Sequence, residues 1–152
     1  MKKRIATAGS TVLLHCLLAS CGHTADSGGL NLREAVLPNG QKIQCEVMIR
    51  SEDMARGMMF RDSLEADRGM LFHHAAAGQY PYWMFQCKIA LDIIWMDQNK
   101  RIVEMSPNTP PCTGAAETCP SYGGHAVART VLEMQAGSIA RHGLKVGDRI
   151  EF

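Results

Sequence analysis

Residues 89–97, which read IALDIIWMD, constrain the fold more than any other segment of this chain. Apart from the terminal Asp97, the segment carries a single charge, on Asp92. A strand that is apolar at nearly every position needs cover on both faces, so the segment predicts a central, two-sided strand. A carboxylate buried in such a strand costs several kcal/mol unless it is paired and hydrogen-bonded. The chain must therefore build a covered sheet and supply a partner for Asp92.

Most of the remaining segments also have the pattern of strands. Residues 32–37 and 41–50 flank a Pro-Asn-Gly sequence and predict a hairpin, because Asn-Gly strongly favours a tight turn. Apolar and polar residues alternate in the second of these strands. Further strands are predicted at residues 69–73, 80–85, 101–105, 129–135 and 149–152, and short helices at residues 52–56, capped by Ser51, and 138–142. This pattern predicts a mainly β fold, a β-sandwich or a barrel-like sheet with one or two short helices.

The first twenty residues are typical of an export signal. A basic start precedes an apolar stretch that is too short to span a bilayer comfortably. The stretch ends in Leu18-Ala19-Ser20-Cys21, which resembles the lipobox of bacterial lipoproteins, whose cysteine is lipidated and becomes the first mature residue. The resemblance implies export and a membrane anchor through lipid on Cys21. An ordinary signal peptide followed by a chance cysteine is the alternative.

Cleavage before Cys21 would divide the chain into a signal peptide at residues 1–20, a flexible tether at residues 21–31 and one domain at residues 32–152. No aspartate follows Cys21, so in a Gram-negative source we expect the outer membrane, with the domain facing the periplasm. The mature chain would hold thirteen basic and fifteen acidic side chains. This balance argues against a nucleic-acid partner.

Four cysteines remain after Cys16 and Cys21 are set aside. Cys112 and Cys119 lie in a loop rich in proline and glycine, at a spacing that differs from that of a zinc knuckle and favours a disulfide. Cys45 and Cys87 fall on the apolar phase of their strands, so they either bridge each other or stay as buried thiols. Four cysteines allow three pairings, and we predict Cys112–Cys119 together with Cys45–Cys87.

Arg56 and Arg61 are the predicted partners of Asp92, because a guanidinium group matches a carboxylate in bidentate geometry. Two roles for this group remain open. It is either a structural ion pair that orients the Arg-Gly-Met-Met segment, or a polar cluster that opens on a ligand pocket walled by Trp83 and Tyr122. The sequence assigns no catalytic residue.

Several short motifs occur in a fixed order between about Gln44 and Phe152. They are ARGMMFR at 55–61, DRGMLF at 67–72, Trp83-Met84, LDII at 91–94, Cys112, Cys119-Pro120, VLE at 131–133 and GLKVGD at 143–148. The ordered set resembles the bacterial and archaeal family known as domain of unknown function 192. The resemblance implies a compact β-sandwich domain that is often exported, and it brings no established activity. Relatives usually carry Lys-Asn-Thr or similar where this chain has Phe85-Gln86-Cys87, which is a departure from the family pattern.

The sequence favours a binding or accessory module of the cell envelope, with a small molecule, a glycan or a partner protein as ligand and with no cofactor or metal. Aromatic side chains such as Trp83 and Tyr122 offer contact surface, by analogy with other sandwich folds. One alternative is a hydrolase or redox enzyme that uses Asp92 or a cysteine, although the common hydrolase motifs are absent. The second is a copper protein that binds through methionine and cysteine, although methionines on apolar phases are more often core residues.

Overall fold

The computed structural model of the protein describes residues 31–152, so the predicted signal peptide, Cys21 and nearly all of the tether lie outside this range. Within it the chain is mainly β with two short α-helices, as predicted. The elements are β1 (Leu32–Val36), β2 (Lys42–Met48), α1 (Ser51–Arg56), β3 (Arg68–Gly78), β4 (Tyr82–Trp83), β5 (Leu91–Met96), β6 (Ile102–Thr109), a 3-10 turn (Ala116–Thr118), β7 (Ser121–Tyr122), β8 (Ala128–Gln135) and α2 (Ser138–His142).

Six of the strands form one mixed sheet in the order β1-β2-β3-β8-β5-β6. Strands β2 and β3 run parallel, and the other neighbouring pairs are antiparallel. Strand β5 lies between β8 and β6, and every one of its residues is buried. The prediction of a central strand covered on both faces is confirmed. The short strands β4 and β7 pair with each other outside this sheet.

The sheet separates two hydrophobic clusters, because neighbouring residues of a strand point to opposite faces. Leu71 belongs to one cluster and its neighbour Phe72 to the other, and Ile94 and Trp95 divide in the same way. We call the cluster that includes Leu71, Ile94 and residues of α2 the first cluster. The second cluster includes Phe72 and Trp95, and it packs against α1, β4 and β7.

The C-terminal segment links the two outer edges of the sheet and makes it barrel-like. The backbone groups of Val36 in β1 and Glu151 exchange two hydrogen bonds of 2.7 and 3.0 Å. The amide of Ile102, at the start of β6, donates to the carbonyl of Asp148 at 2.8 Å. The predicted last strand at residues 149–152 is therefore reduced to isolated bridges, which join β1 to the turn between β5 and β6.

Two further local predictions differ from the structure. The segment 80–85 forms a strand only at Tyr82–Trp83, in part because the carbonyl of Tyr80 accepts a hydrogen bond from the indole of Trp95. Ser51 is the first residue of α1 instead of its cap, and the capping residue, Arg50, makes no side-chain hydrogen bond there.

The structure joins Cys112 and Cys119 in a disulfide, as the spacing predicted. The predicted bridge between Cys45 and Cys87 is wrong, because both are free, buried thiols. Cys45 belongs to the first cluster and Cys87 to the second, so the sheet lies between them. Each behaves as a small apolar residue of its own cluster.

Candidate functional site

Asp92 is bound by backbone amides instead of arginines. Its Oδ1 accepts hydrogen bonds from the amides of Asn108 at 2.7 Å and Gly137 at 3.2 Å, and its Oδ2 accepts one from Ile139 at 2.6 Å. The predicted pairing with Arg56 or Arg61 is wrong, because Asp92 faces the side of the sheet that α2 covers and both arginines lie on the side of α1. Asp92 therefore holds the start of α2 against the sheet.

The partner of Arg61 is Glu46. The two guanidinium nitrogens of Arg61 donate to the two carboxylate oxygens of Glu46 at 2.5 and 2.6 Å. The Glu46 residue is only 6% exposed although it falls on the polar phase of β2. The alternation of β2 predicted an outward side chain, and the covering of this face by α1 and the following turn is what buries it. Sequence reasoning missed this ion pair.

Glu133 is a second buried carboxyl group on the same face of the sheet. The register places Glu46 opposite Met70, and Met70 opposite Glu133, in one row across β2, β3 and β8. Glu133 is 4% exposed, and its Oε2 has no hydrogen-bond partner among the described residues. Burial raises the pKa of Glu133 to about 8, against the opposing effect of the positive charge on Arg61. The one signal in the sequence was a lone acid within the apolar run of β8.

A small cavity, which we call the inner cavity, lies between Glu133 and the segment that covers it. Its volume is about 40 Å³. Its lining residues include Glu133, the thiol residue Cys87 and four aromatic residues, namely Phe72, Tyr82, Trp83 and Phe85. Trp83 is 44% exposed, so the cavity reaches the surface beside its ring.

A larger concavity, the outer cleft, lies between the end of β2, α1 and the turn after α1. Its volume is about 690 Å³. Its lining combines three arginines with apolar residues, of which Ile49 and Phe60 are exposed; the set is Arg50, Arg56, Arg61, Ile49, Met59 and Phe60. Arg50 pairs with Asp53 at 3.0 Å and Arg61 pairs with Glu46. Arg56 forms no salt bridge within residues 31–152, and it lines the inner cavity as well as the outer cleft.

Two residues with strained backbone meet near the outer cleft, Phe60 in the turn between α1 and β3 and Gln86 in the segment between β4 and β5. Phe60 has φ of +67° and Gln86 has φ of +58°, in the left-handed region that side chains other than glycine rarely adopt. The amide of Phe60 donates to the carbonyl of Gln86 at 2.8 Å, which holds the two strained residues together. Strain of this kind costs about 1–3 kcal/mol per residue and clusters at ligand-binding sites.

The structure brings together only part of the predicted polar cluster. Arg56 and Arg61 line the outer cleft, and Trp83 lines the inner cavity. Asp92 lies on the opposite face of the sheet. Tyr122 pairs with Tyr82 in the ladder of β4 and β7 and lines neither cavity. Of the two predicted walls, only Trp83 therefore lines a cavity, and the acid of that cavity is Glu133.

The DUF192 family profile, described as "Uncharacterized ACR", matches residues 34–152 of this chain. The chain belongs to the DUF192 family. This DUF192 domain is similar to a crystal structure of a protein of unknown function from Novosphingobium aromaticivorans, with 28% identity and a TM-score of 0.72, over 84% of this chain and 89% of that one. A candidate transcription regulator from Sinorhizobium meliloti has 24% identity and a TM-score of 0.67, over 78% of this chain and 89% of that one, and so shows the fold alone. No curated protein matches the chain.

The chemistry of the DUF192 domain is limited by where its reactive groups lie. Burial raises the pKa of Cys45 and of Cys87 to about 12, so both stay protonated at neutral pH, whereas a nucleophilic cysteine needs a lowered pKa. Among residues 31–152, no three side chains of His, Cys, Asp or Glu form a group that could hold a metal ion. In the same range, no helix is long and apolar enough to cross a membrane.

The raised pKa of Glu133 predicts how stability depends on pH. Between the ordinary pKa of 4.5 and the folded pKa of about 8, the unfolded chain releases a proton that the folded chain keeps. Rising pH therefore lowers the free energy of unfolding in this window, by up to about 1.4 kcal/mol per pH unit. We expect Glu133→Gln to remove this slope and to stabilise the domain by a few kcal/mol at pH 8 in urea unfolding. Glu52→Gln, on the exposed face of α1, is the control and should keep the slope. If the free energy of unfolding depended on pH in the same way in wild type and in Glu133→Gln, the assignment of this dependence to Glu133 would be wrong.

Proposed function

We propose that this DUF192 domain is an exported, lipid-anchored binding module whose outer cleft takes a small amphipathic anion. Export is supported by the lipobox-like residues that end in Cys21 and by the disulfide between Cys112 and Cys119, since disulfides persist in oxidising compartments. The lipid on Cys21 would hold the domain at the membrane, which in a Gram-negative source is the outer membrane.

The observation that carries the proposal is the combination of charge and apolar surface in one cleft of suitable size. A volume of about 690 Å³ lies in the ordinary range of small-molecule sites. Ile49 and Phe60 are 60% and 53% exposed on its walls, and surface of this kind favours an apolar ligand body. Phe60 lines the cleft, and its backbone is held there by the hydrogen bond to Gln86.

Arg56 selects the charge of the ligand. The other two arginines of the cleft already hold carboxylates of the domain, at Asp53 and Glu46. Arg56 has no acidic partner within the described range, so its guanidinium group is free to bind a carboxylate or a phosphate in bidentate geometry. A small molecule with one anionic group and an apolar body therefore fits the cleft better than a neutral glycan.

The two alternatives have less support. A hydrolase or redox enzyme would use Asp92 or a cysteine, yet three backbone amides occupy the carboxylate of Asp92 and both free thiols are buried. A copper protein would use methionine and cysteine, and Cys87 does share a cavity wall with Met58 and Met59. The raised pKa of the Cys87 thiol opposes the deprotonation that such a ligand needs.

The proposal is tested by titrating amphipathic anions into the purified protein. We expect octanoate and phenyl phosphate to raise the melting temperature, because a ligand of the folded state stabilises it. Arg56→Gln should weaken their binding about 10- to 150-fold, since one charge-assisted contact contributes roughly 1.5–3 kcal/mol. Arg33→Gln, an exposed arginine of β1, is the matched control and should bind as wild type does. Absence of any shift, or equal effects of the two substitutions, would refute the proposal.

A further inference from the structure

We infer that the inner cavity is a binding site for an alkylammonium group, which the carboxylate of Glu133 and the surrounding aromatic rings hold. The inference goes beyond the proposed function, because it concerns a second site that selects the opposite charge. It stands on an unpartnered buried acid, on the ring residues that share its cavity and on the size of that cavity.

The carboxyl group of Glu133 lacks a hydrogen-bond donor, which a ligand could supply. Oε2 of Glu133 is buried and has no hydrogen-bond partner among residues 31–152, whereas nearly all buried polar atoms in folded proteins have one. Arg61 is the positive charge that acts on Glu133, but both of its terminal nitrogens donate to Glu46. An ammonium group would bring both N–H donors and a compensating charge to Glu133.

The other walls of the inner cavity suit a cation. Phe72 and Tyr82 meet edge to face, with ring centroids 5.2 Å apart, and Trp83 and Phe85 lie 5.0 Å apart with their planes tilted by 36°. All four line the cavity with Glu133. Aromatic faces attract ammonium groups, and rings arranged around a small cavity are the usual way in which proteins recognise them. Arg56 also lines the cavity, so the carboxylate of Glu133 and the four rings together must outweigh its charge for the cavity to select a cation over a neutral group of equal size.

The dimensions restrict the ligand to a slender cation. A volume of about 40 Å³ exceeds the roughly 10–15 Å³ that one water molecule needs, and it accommodates a primary ammonium with its first methylene. A quaternary headgroup is too bulky for it. Because Trp83 both lines the cavity and reaches solvent, the alkyl chain would leave past its ring.

Binding should depend on pH in a way that identifies Glu133. Burial raises the pKa of Glu133 to about 8, so below that pH the ammonium must displace a proton, and affinity rises about tenfold per pH unit up to pH 8. The pKa values of neighbouring groups are shifted away from this window. Burial raises the pKa of both Tyr82 and Cys87, and the hydrogen bond with Glu46 raises the pKa of Arg61, the positive charge that acts on Glu133.

Sulfur donors on the same walls define the competing outcome. Cys87, Met54, Met58 and Met59 also line the inner cavity, and thiolate with thioethers would suit a soft monovalent metal. The ammonium is favoured because its binding requires only that Glu133 be ionised. Binding of a soft metal requires that the Cys87 thiol lose its proton, and burial raises the pKa of that thiol.

The test is a calorimetric titration of the full-length protein with n-butylammonium, with n-butanol as the neutral analogue. We expect butylammonium to bind at least tenfold more tightly than butanol, with affinity rising about tenfold between pH 6 and pH 7. Glu133→Gln should lose that preference and its pH dependence, and Trp83→Leu should weaken binding severalfold. Glu52→Gln, an exposed acid of α1, should bind as wild type does.

Three results would overturn the inference. The first is equal affinity for butanol and butylammonium, and the second is unchanged affinity of Glu133→Gln for butylammonium. The third is a protein that does not bind butylammonium but binds silver(I), with the silver(I) binding abolished by Cys87→Ser and retained by Cys45→Ser. Octanoate and phenyl phosphate, titrated into the same variants, report on the outer cleft separately. Loss of one class of ligand with retention of the other therefore shows which proposal fails.

Discussion

Replacing Asp92 with alanine is expected to lower the free energy of unfolding by about 3–5 kcal/mol. The substitution leaves the amides of Asn108, Gly137 and Ile139 without their acceptor, in a strand where water cannot replace it. Because a domain of this size has a total stability of only about 5–15 kcal/mol, the variant should unfold at a much lower concentration of urea.

Asp97→Ala provides the matched control for Asp92→Ala. Asp97 also accepts two backbone amides, from Asn99 and Arg101, but it does so in an exposed turn where water can take its place. We expect its loss to cost about 1 kcal/mol. Asp92→Asn keeps one acceptor oxygen and should lie between the two. Equal costs for Asp92→Ala and Asp97→Ala would contradict the structural role assigned to Asp92.

Replacing Arg61 with methionine is expected to cost about 2–4 kcal/mol of stability, since it leaves the carboxylate of Glu46 buried and unpaired. The figure lies below that for a fully buried pair because the side chain of Arg61 is one-third exposed. Substituting both residues, as Arg61→Met with Glu46→Met, should recover most of the loss, because an apolar pair leaves no charge to solvate.

A double-mutant cycle in urea measures this coupling directly. We predict that the double variant is more stable than Arg61→Met alone, with a coupling energy of about 1–3 kcal/mol. Arg50→Met with Asp53→Ala, an exposed pair of the same cleft at 3.0 Å, should couple by less than about 1 kcal/mol. If the changes in the free energy of unfolding caused by the Arg61 and Glu46 substitutions simply added, the contact between the two side chains would contribute nothing to stability.

Elements fixed by local patterns were predictable from the sequence. The continuous apolar run of β5 and the Asn-Gly turn between β1 and β2 required only neighbouring residues. Gly143, which has φ of +64° directly after α2, ends that helix where a left-handed residue is needed. In each case the deciding interactions lie within a few residues of one another along the chain.

The partners of the buried acids were not predictable, because distant segments supply them. Asp92 is 45 and 47 residues from Gly137 and Ile139, and Glu46 is 15 residues from Arg61. Alternation along a strand assigns each residue to one face of the sheet, but it does not identify the distant segment that covers that face. The same ambiguity explains why two cysteines on apolar phases, Cys45 and Cys87, were paired although they lie in different clusters.

The outer cleft and the inner cavity meet at the end of α1, where Arg56, Gly57 and Met59 line both. In our proposals the outer cleft binds an anion through Arg56 and the inner cavity binds a cation through Glu133. A ligand that carries both charges would then contact two sites that share these three residues. We therefore propose the segment between α1 and β3 as the functional centre of the domain.

The most direct test of that centre is a two-dimensional amide NMR titration of the protein with phenyl phosphate and, separately, with butylammonium. We predict that phenyl phosphate shifts amides around residues 47–61, and that butylammonium shifts amides near residues 82–87 and 133. Residues of α2 and of the C-terminal segment, on the far side of the sheet, should stay unchanged with both probes. Shifts confined to that far side, or no shifts at saturating concentrations of either probe, would contradict the placement of the site.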